Sequence, residues 1–207
     1  MKQARIIITF ACPRKCAGCA NSYQSLLKQA VQLPINGLDR LKDYDGIMLT
    51  GGEPMLQPDR TIKIAELFHK EVPSAKIYLY TALHKSNDDM ENVLQHVDGV
   101  QFSVHKEAND QDIADFQSFQ ALASRWKNKS FRLYIDKSQK ERAHIIPSVW
   151  ARVTSSWYSE DELLAWRSSG LPKDEELFIL TKGDDKDDQL SENTHMRYGA
   201  RRCCKIW

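Results

Sequence analysis

Ile6-Ile7-Ile8-Thr9-Phe10-Ala11-Cys12-Pro13-Arg14-Lys15-Cys16-Ala17-Gly18-Cys19 runs three consecutive branched apolar residues straight into three cysteines. An unbroken isoleucine triplet is the mark of a strand buried on both faces, which is what a parallel sheet covered by crossover helices needs. Four more apolar runs follow: Ile47-Met48-Leu49, Ile77-Tyr78-Leu79-Tyr80, Val100-Gln101-Phe102-Ser103-Val104 and Phe131-Arg132-Leu133-Tyr134-Ile135. Between them lie segments of helical period: Tyr23, Leu26, Leu27, Ala30 and Val31; Ile64, Leu67 and Phe68, closed by Pro73; Met90, Val93, Leu94 and Val97; Phe116, Phe119, Ala123 and Trp126. Past Asp136 the order blurs. Residues 145–158 have no clear period, Ser159 with Glu162 forms a capping box for a helix through Arg167 that Gly170 and Pro172 end, and Leu177-Phe178-Ile179-Leu180 reads as a sixth strand. The alternation predicts an α/β fold, a partial (β/α)6 barrel of parallel strands open on one side, because a closed eightfold barrel needs about 250 residues. A single domain over 1–207 is expected, with its organised core at about 5–136.

Composition narrows the function classes. The chain has 207 residues, 42% of them hydrophobic and 28% charged, which excludes disorder. A net charge of +1 gives no long-range attraction for polyanions. The basic tail residues Arg197, Arg201, Arg202 and Lys205, preceded by Asp184, Asp185, Asp187 and Asp188, read as a solvated face. The apolar stretch from Ile6 to Ala11 is too short for a signal-peptide core or a membrane span, so a cytoplasmic protein with no membrane partner is expected. Five cysteines, Cys12, Cys16, Cys19, Cys203 and Cys204, are an odd number in such a chain, which favours reduced thiols or metal ligands over disulfides.

The chemistry is concentrated after the first two strands, at the strand ends where parallel βα folds place their sites. Three soft thiolates at CxxxCxxC spacing select iron–sulfur clusters, zinc or copper(I). A cubane cluster takes four cysteines, so three leave one iron open to another molecule. One alternative places three small apolar residues on a buried helix face, which Pro13, Arg14, Lys15 and Gly18 suit badly. The other is structural zinc, which wants four protein ligands, while the nearest histidine, His69, is fifty residues on. After the second strand, Leu49-Thr50-Gly51-Gly52-Glu53-Pro54 combines glycines that let a backbone approach closely with a carboxylate able to receive a cation. Cys203-Cys204 reads as a pair of ordinary thiols.

Together the two loops resemble the radical S-adenosylmethionine enzymes. The resemblance covers roughly residues 5–136 and implies that Cys12, Cys16 and Cys19 hold a 4Fe-4S cluster while Thr50, Gly51, Gly52 and Glu53 receive the methionine end of S-adenosylmethionine. Val97-Asp98-Gly99-Val100-Gln101-Phe102-Ser103-Val104-His105 is similar to the family's fourth strand and brings in Ser103, and Arg132 follows as the next cofactor or substrate contact. Tyr80, Thr81, His84, His105, Tyr134 and Asp136 are further strand-end candidates. The family commonly has an aromatic residue where Gly18 stands. The resemblance implies reductive cleavage to a 5'-deoxyadenosyl radical that takes hydrogen from a substrate, with flavodoxin or ferredoxin as reductant. The ending Cys16-Ala17-Gly18-Cys19-Ala20-Asn21 also resembles activases of anaerobic ribonucleotide reductase. A nucleotide- or nucleic-acid-modifying enzyme and a non-catalytic iron–sulfur or zinc module complete the alternatives.

Overall fold

The isoleucine triplet lies within β1 (Gln3–Thr9). Ile6 and Ile8 enter one hydrophobic cluster and Ile7 a second on the opposite face, so the strand is buried on both sides as its sequence requires. A computed structural model describes residues 1–16, 19, 21, 23–156, 171 and 173–182. Within it β1 is followed by α1 (Gln24–Leu27), β2 (Val31–Pro34), β3 (Gly46–Gly51), α2 (Pro58–Glu71), β4 (Lys76–Thr81), α3 (Asn87–His96), β5 (Gly99–Val104), α4 (Asp110–Ala123), β6 (Ser130–Asp136), α5 (Lys140–Ala143), β7 (Arg152–Ser156) and β8 (Glu175–Thr181). The strands make one open parallel sheet in the order β2-β8-β1-β3-β4-β5-β6-β7. It is α/β and not closed into a barrel.

The expected strands are all present, but the described residues hold eight strands rather than six. Helical spacing groups Val31 with Tyr23, Leu26, Leu27 and Ala30. Instead only one turn forms, and Val31 starts β2, opposite Phe178. The residues of unclear period contain β7, which among the described strands pairs with β6 alone at the sheet edge. The helix over Ser159–Arg167 and the Cys203-Cys204 pair lie outside the described residues.

The helices begin where their caps dictate. Ser86 Oγ accepts the Asp89 amide at 3.1 Å to start α3, and Asn109 with Asp112 forms a full capping box on α4. Their buried faces, Thr61, Ile64, Ala65 and Phe68 of α2, Met90, Val93 and Leu94 of α3, and Ile113, Phe116 and Phe119 of α4, meet alternate residues of the sheet. Ala4, Ile47, Leu49, Ile77, Leu79, Val100, Phe102, Phe131, Leu133, Ile135 and Phe178 supply that side. Phe119 is central, 4.7 Å from the Phe102 ring and edge-on to Phe131 and His84. The other face is apolar where Ile7, Leu177 and Ile179 pack together on β1 and β8, and half-buried and polar where it carries Arg5, Tyr78, Tyr80, Gln101, Ser103, Arg132 and Tyr134.

Candidate functional site

The carboxyl ends of β1 and β3 are sewn together. Their ladder shifts register between Ile7 and Thr9, leaving Ile8 as the extra residue of a bulge. The freed Ile8 carbonyl accepts Arg60 Nη1 at 2.5 Å. Beyond the bulge Gly52 N donates to Thr9 O at 2.6 Å and Glu53 N to Ala11 O at 2.8 Å. Both glycines are necessary for that approach. Gly51 has φ +130°, and a Cβ on it would stand 2.2 Å from Thr9 O. A Cβ on Gly52 would stand 2.1 Å from Ala11 O. The glycine turn therefore fixes the start of the cysteine loop directly. Its amides at positions 52 and 53 are engaged, so the turn meets a ligand through other atoms.

Glu53 is buried, and its carboxylate is surrounded by donors. Oε1 accepts Met55 N at 2.9 Å and Thr81 Oγ1 at 2.6 Å, and Oε2 accepts Ala82 N at 2.9 Å. Burial raises its pKa, while Thr81, the two amides and the Arg14 charge oppose the rise. Its place in the sequence suggested a carboxylate aimed at a cation. In the structure it ties the loop after β3 to the loop after β4.

A second clamp was not evident in the sequence. The Arg14 guanidinium reaches Asp112 with both terminal nitrogens, at 2.9 and 2.6 Å, and the Ala82 carbonyl at 2.9 Å. Asp112 also accepts Asn109 N at 3.0 Å within the α4 cap, so the cysteine loop is pinned to a helix start 98 residues away. Burial opposes both charges. Even so, the pairing raises the Arg14 pKa and holds the Asp112 carboxyl below its ordinary range. The Asn-x-x-Asp pattern at 109–112 was a readable cap, but nothing nearby in the chain pointed to Arg14.

The three cysteines are reduced, with Cys12 exposed and Cys16 and Cys19 partly covered. Arg14 N donates to Cys12 Sγ at 3.4 Å, and Cys19 N to Cys16 O at 3.2 Å. Burial pushes Cys16 up to about 11, and the Glu107 charge and the other two thiols add to the rise; burial raises Cys12 as well. Burial thus favours the protonated forms of Cys12 and Cys16, a balance that a cationic metal would reverse. Among the described residues no three His, Cys, Asp or Glu side chains are gathered closely enough to hold a metal ion. Donor chemistry fits an iron–sulfur group: three soft ligands, and a buried Arg14 Nε with no partner on the same loop. A cleft of about 340 Å³ opens beside the loop, walled by Arg14, Lys15, Cys16, Leu83, Glu107 and Asn109.

Residues 5–122 match the family described as "4Fe-4S single cluster domain". The chain belongs to that family. This single-cluster family is associated with radical S-adenosylmethionine proteins, so the resemblance read from cysteine spacing holds at the level of family, and the cofactor is a 4Fe-4S cluster. No curated protein matches the sequence. Among solved structures the chain is similar to BtrN in complex with AdoMet and 2-DOIA, at 14% identity and a TM-score of 0.44 over 77% of this chain and 57% of that one. It is also similar to selenomethionine BtrN in an open conformation, at 18% identity and 0.39 over 54% and 53%. The chain spans a little over half the length of these structures.

The remaining expected residues of this single-cluster chain divide into two groups. Thr50, Tyr80, Ser103, Arg132 and Tyr134 lie half-buried on the polar face of the sheet, where Ser103 is in register with Tyr134. His105 stands just past β5 and is kept from charging by burial and the Arg14 charge. Thr81, His84 and Asp136 do structural work. Thr81 serves Glu53. Buried His84 shares a hydrogen bond of 3.0 Å with Asn87, and Asp136 accepts Ser138 N at 2.9 Å to cap a turn. No described helix is long and apolar enough to cross a membrane.

Proposed function

We propose that this single-cluster protein is a radical S-adenosylmethionine enzyme, with Cys12, Cys16 and Cys19 as cluster ligands and the polar face of its sheet as the substrate face. The observation that carries the reading is the pair of bonds from Gly52 N to Thr9 O and from Glu53 N to Ala11 O, which set the glycine turn against the root of the cysteine loop. When bound, the reduced cluster would supply the electron that splits S-adenosylmethionine into methionine and a 5'-deoxyadenosyl radical. The protein's own part is geometry. Thr50 and the carbonyls of Gly51 and Gly52 offer acceptors for an ammonium group. Glu53 and Arg14 hold that rim to β4 and α4, and Ser103 and Arg132 line the face beneath it. A packed rim keeps water from the reacting atoms. Flavodoxin or ferredoxin in a reducing cytoplasm is the proposed electron source.

The test is anaerobic reconstitution with iron and sulfide, then reduction in the presence of S-adenosylmethionine with assay for 5'-deoxyadenosine. The wild-type chain is expected to form it, and Cys12→Ala, Cys16→Ala and Cys19→Ala to lose both cluster absorption and product. A fully loaded chain that yields no 5'-deoxyadenosine overturns the reading.

A further inference from the structure

The polar face of the sheet carries three arginines whose circumstances differ. Arg5 is neutralised: its Nε and Nη2 reach Glu175 Oε2 at 3.0 and 2.7 Å, and its guanidinium lies 5.3 Å from the Tyr80 ring. Arg132 has no carboxylate partner among the described residues, and neither has Arg152. The two are direct register partners across β6 and β7. Paired residues of parallel strands project to the same side, with backbones about 4.8 Å apart. Phe131, Leu133 and Ile135 pack under the helices, so Arg132, and with it Arg152, belongs to the open face.

Like charges directly across a ladder repel, and a half-buried guanidinium without a counter-ion gives up hydration for nothing in return. The structure nevertheless holds Arg132 in place. Its guanidinium sits 4.9 Å from the Tyr78 ring, on the far side of β5. Stacking occupies the flat of the guanidinium and leaves its N–H edge free for two parallel hydrogen bonds to an oxyanion. The site is on the row that leads back to the glycine turn. Tyr80 is in register with Gln101, Gln101 with Arg132 and Arg132 with Arg152, and Tyr80 itself follows the Leu49–Leu79 pair, as Thr50 does.

We propose that Arg132 and Arg152 together bind an oxyanion, carboxylate or phosphate, carried by the substrate. This deepens the reading of the polar face as the substrate face and rests on it. The anchored substrate lies along the Tyr80–Gln101–Arg132 row. Its anion sits about three strand spacings, on the order of 14 Å along the sheet, from Thr50, and its reacting end points toward the glycine turn.

Thermal unfolding of the anaerobically reconstituted chain tests the site with no reductant and no S-adenosylmethionine. At matched ionic strength, phosphate or acetate is expected to raise Tm by a few degrees over chloride, and to broaden the phosphorus-31 line of phosphate. The stronger of the two responses identifies the anion class. Arg152→Gln, at an exposed position, should at least halve the response; the double variant Arg132→Gln with Arg152→Gln should abolish it, and Arg132→Lys should keep part. An equal response in wild type and the Arg152→Gln variant is a bulk salt effect and overturns the proposal, as does no response at all. So does loss of the response in saturating S-adenosylmethionine, because the pair would then belong to that molecule's own carboxylate. Anion binding by a chain that forms no 5'-deoxyadenosine would sink the function proposed above and leave this site standing.

Discussion

On β5, Val100, Phe102 and Val104 are buried among the rings of α4, while Gln101 and Ser103, alternating with them, are half-buried on the other face. The same division runs along β6, where Phe131, Leu133 and Ile135 are core and Arg132 and Tyr134 are not. One face is held by ring packing and excluded water. The other has only a small apolar cluster, Ile7, Leu177 and Ile179, and is otherwise held by hydrogen bonds and charge, such as the Arg5–Glu175 pair and the Tyr134–Ser156 hydroxyl contact. The helix-covered face gives the sheet its stability, and that leaves the residues of the other face free to be chosen for chemistry.

The largest effect expected is on the covered face. Phe119→Ala removes a ring that touches Phe102, Phe131 and Trp150, and should destabilise the chain by about 3–5 kcal/mol in denaturant unfolding. A loss below 1 kcal/mol would mean that this face is not the core. Next is the seam between the faces. Gly52→Ala puts a methyl against backbone that cannot move aside, so it should cost about 2–3 kcal/mol and depress iron loading with it. Normal loading in that variant would separate the glycine turn from the cysteine loop. Glu53→Gln replaces an acceptor of three hydrogen bonds by a group that presents N–H to one of the donors, for about 1–3 kcal/mol.

A smaller effect comes from pH. Burial keeps His84 neutral, below the ordinary histidine value of about 6.5, so the unfolded chain takes up its proton first. Stability is complete above that value and declines as the pH falls through it. His84→Phe should flatten the decline between pH 7 and 5, with His105, shifted the same way, supplying what remains. An unchanged slope would remove His84 from the account. The least effect is expected on the polar face, where Thr154→Ala, in register with Tyr134, should change stability by less than about 0.5 kcal/mol.

What the sequence made legible follows the same division. The strands that put two or more residues into the covered face could be read from their apolar runs, and the helices against it from their period. β7 escaped because it is an edge strand whose one apolar residue, Val153, is exposed, so nothing apolar marks it. β2 escaped because Val31 sits at helical spacing from Leu27, and its true partner, Phe178, lies far along the chain. At the site, the thiols and the glycines were legible because both are local motifs. The tasks of Glu53 and Arg14 were not, since their partners are Thr81, Ala82 and Asp112, brought near only by the fold. Arg152 was hidden for the same reason as the strand that carries it.

The position of β8 sets a timetable. It is the last described strand, yet it fills the gap between β1 and β2, and Arg5 finds Glu175 170 residues downstream. At 5–20 residues per second, the strand that leads into the cysteine loop waits on the order of ten to thirty seconds of synthesis with one edge bare, and β2 waits as long for its one neighbour among the described strands. A nascent chain stopped short of Thr181 keeps the cysteines but not the wall behind them.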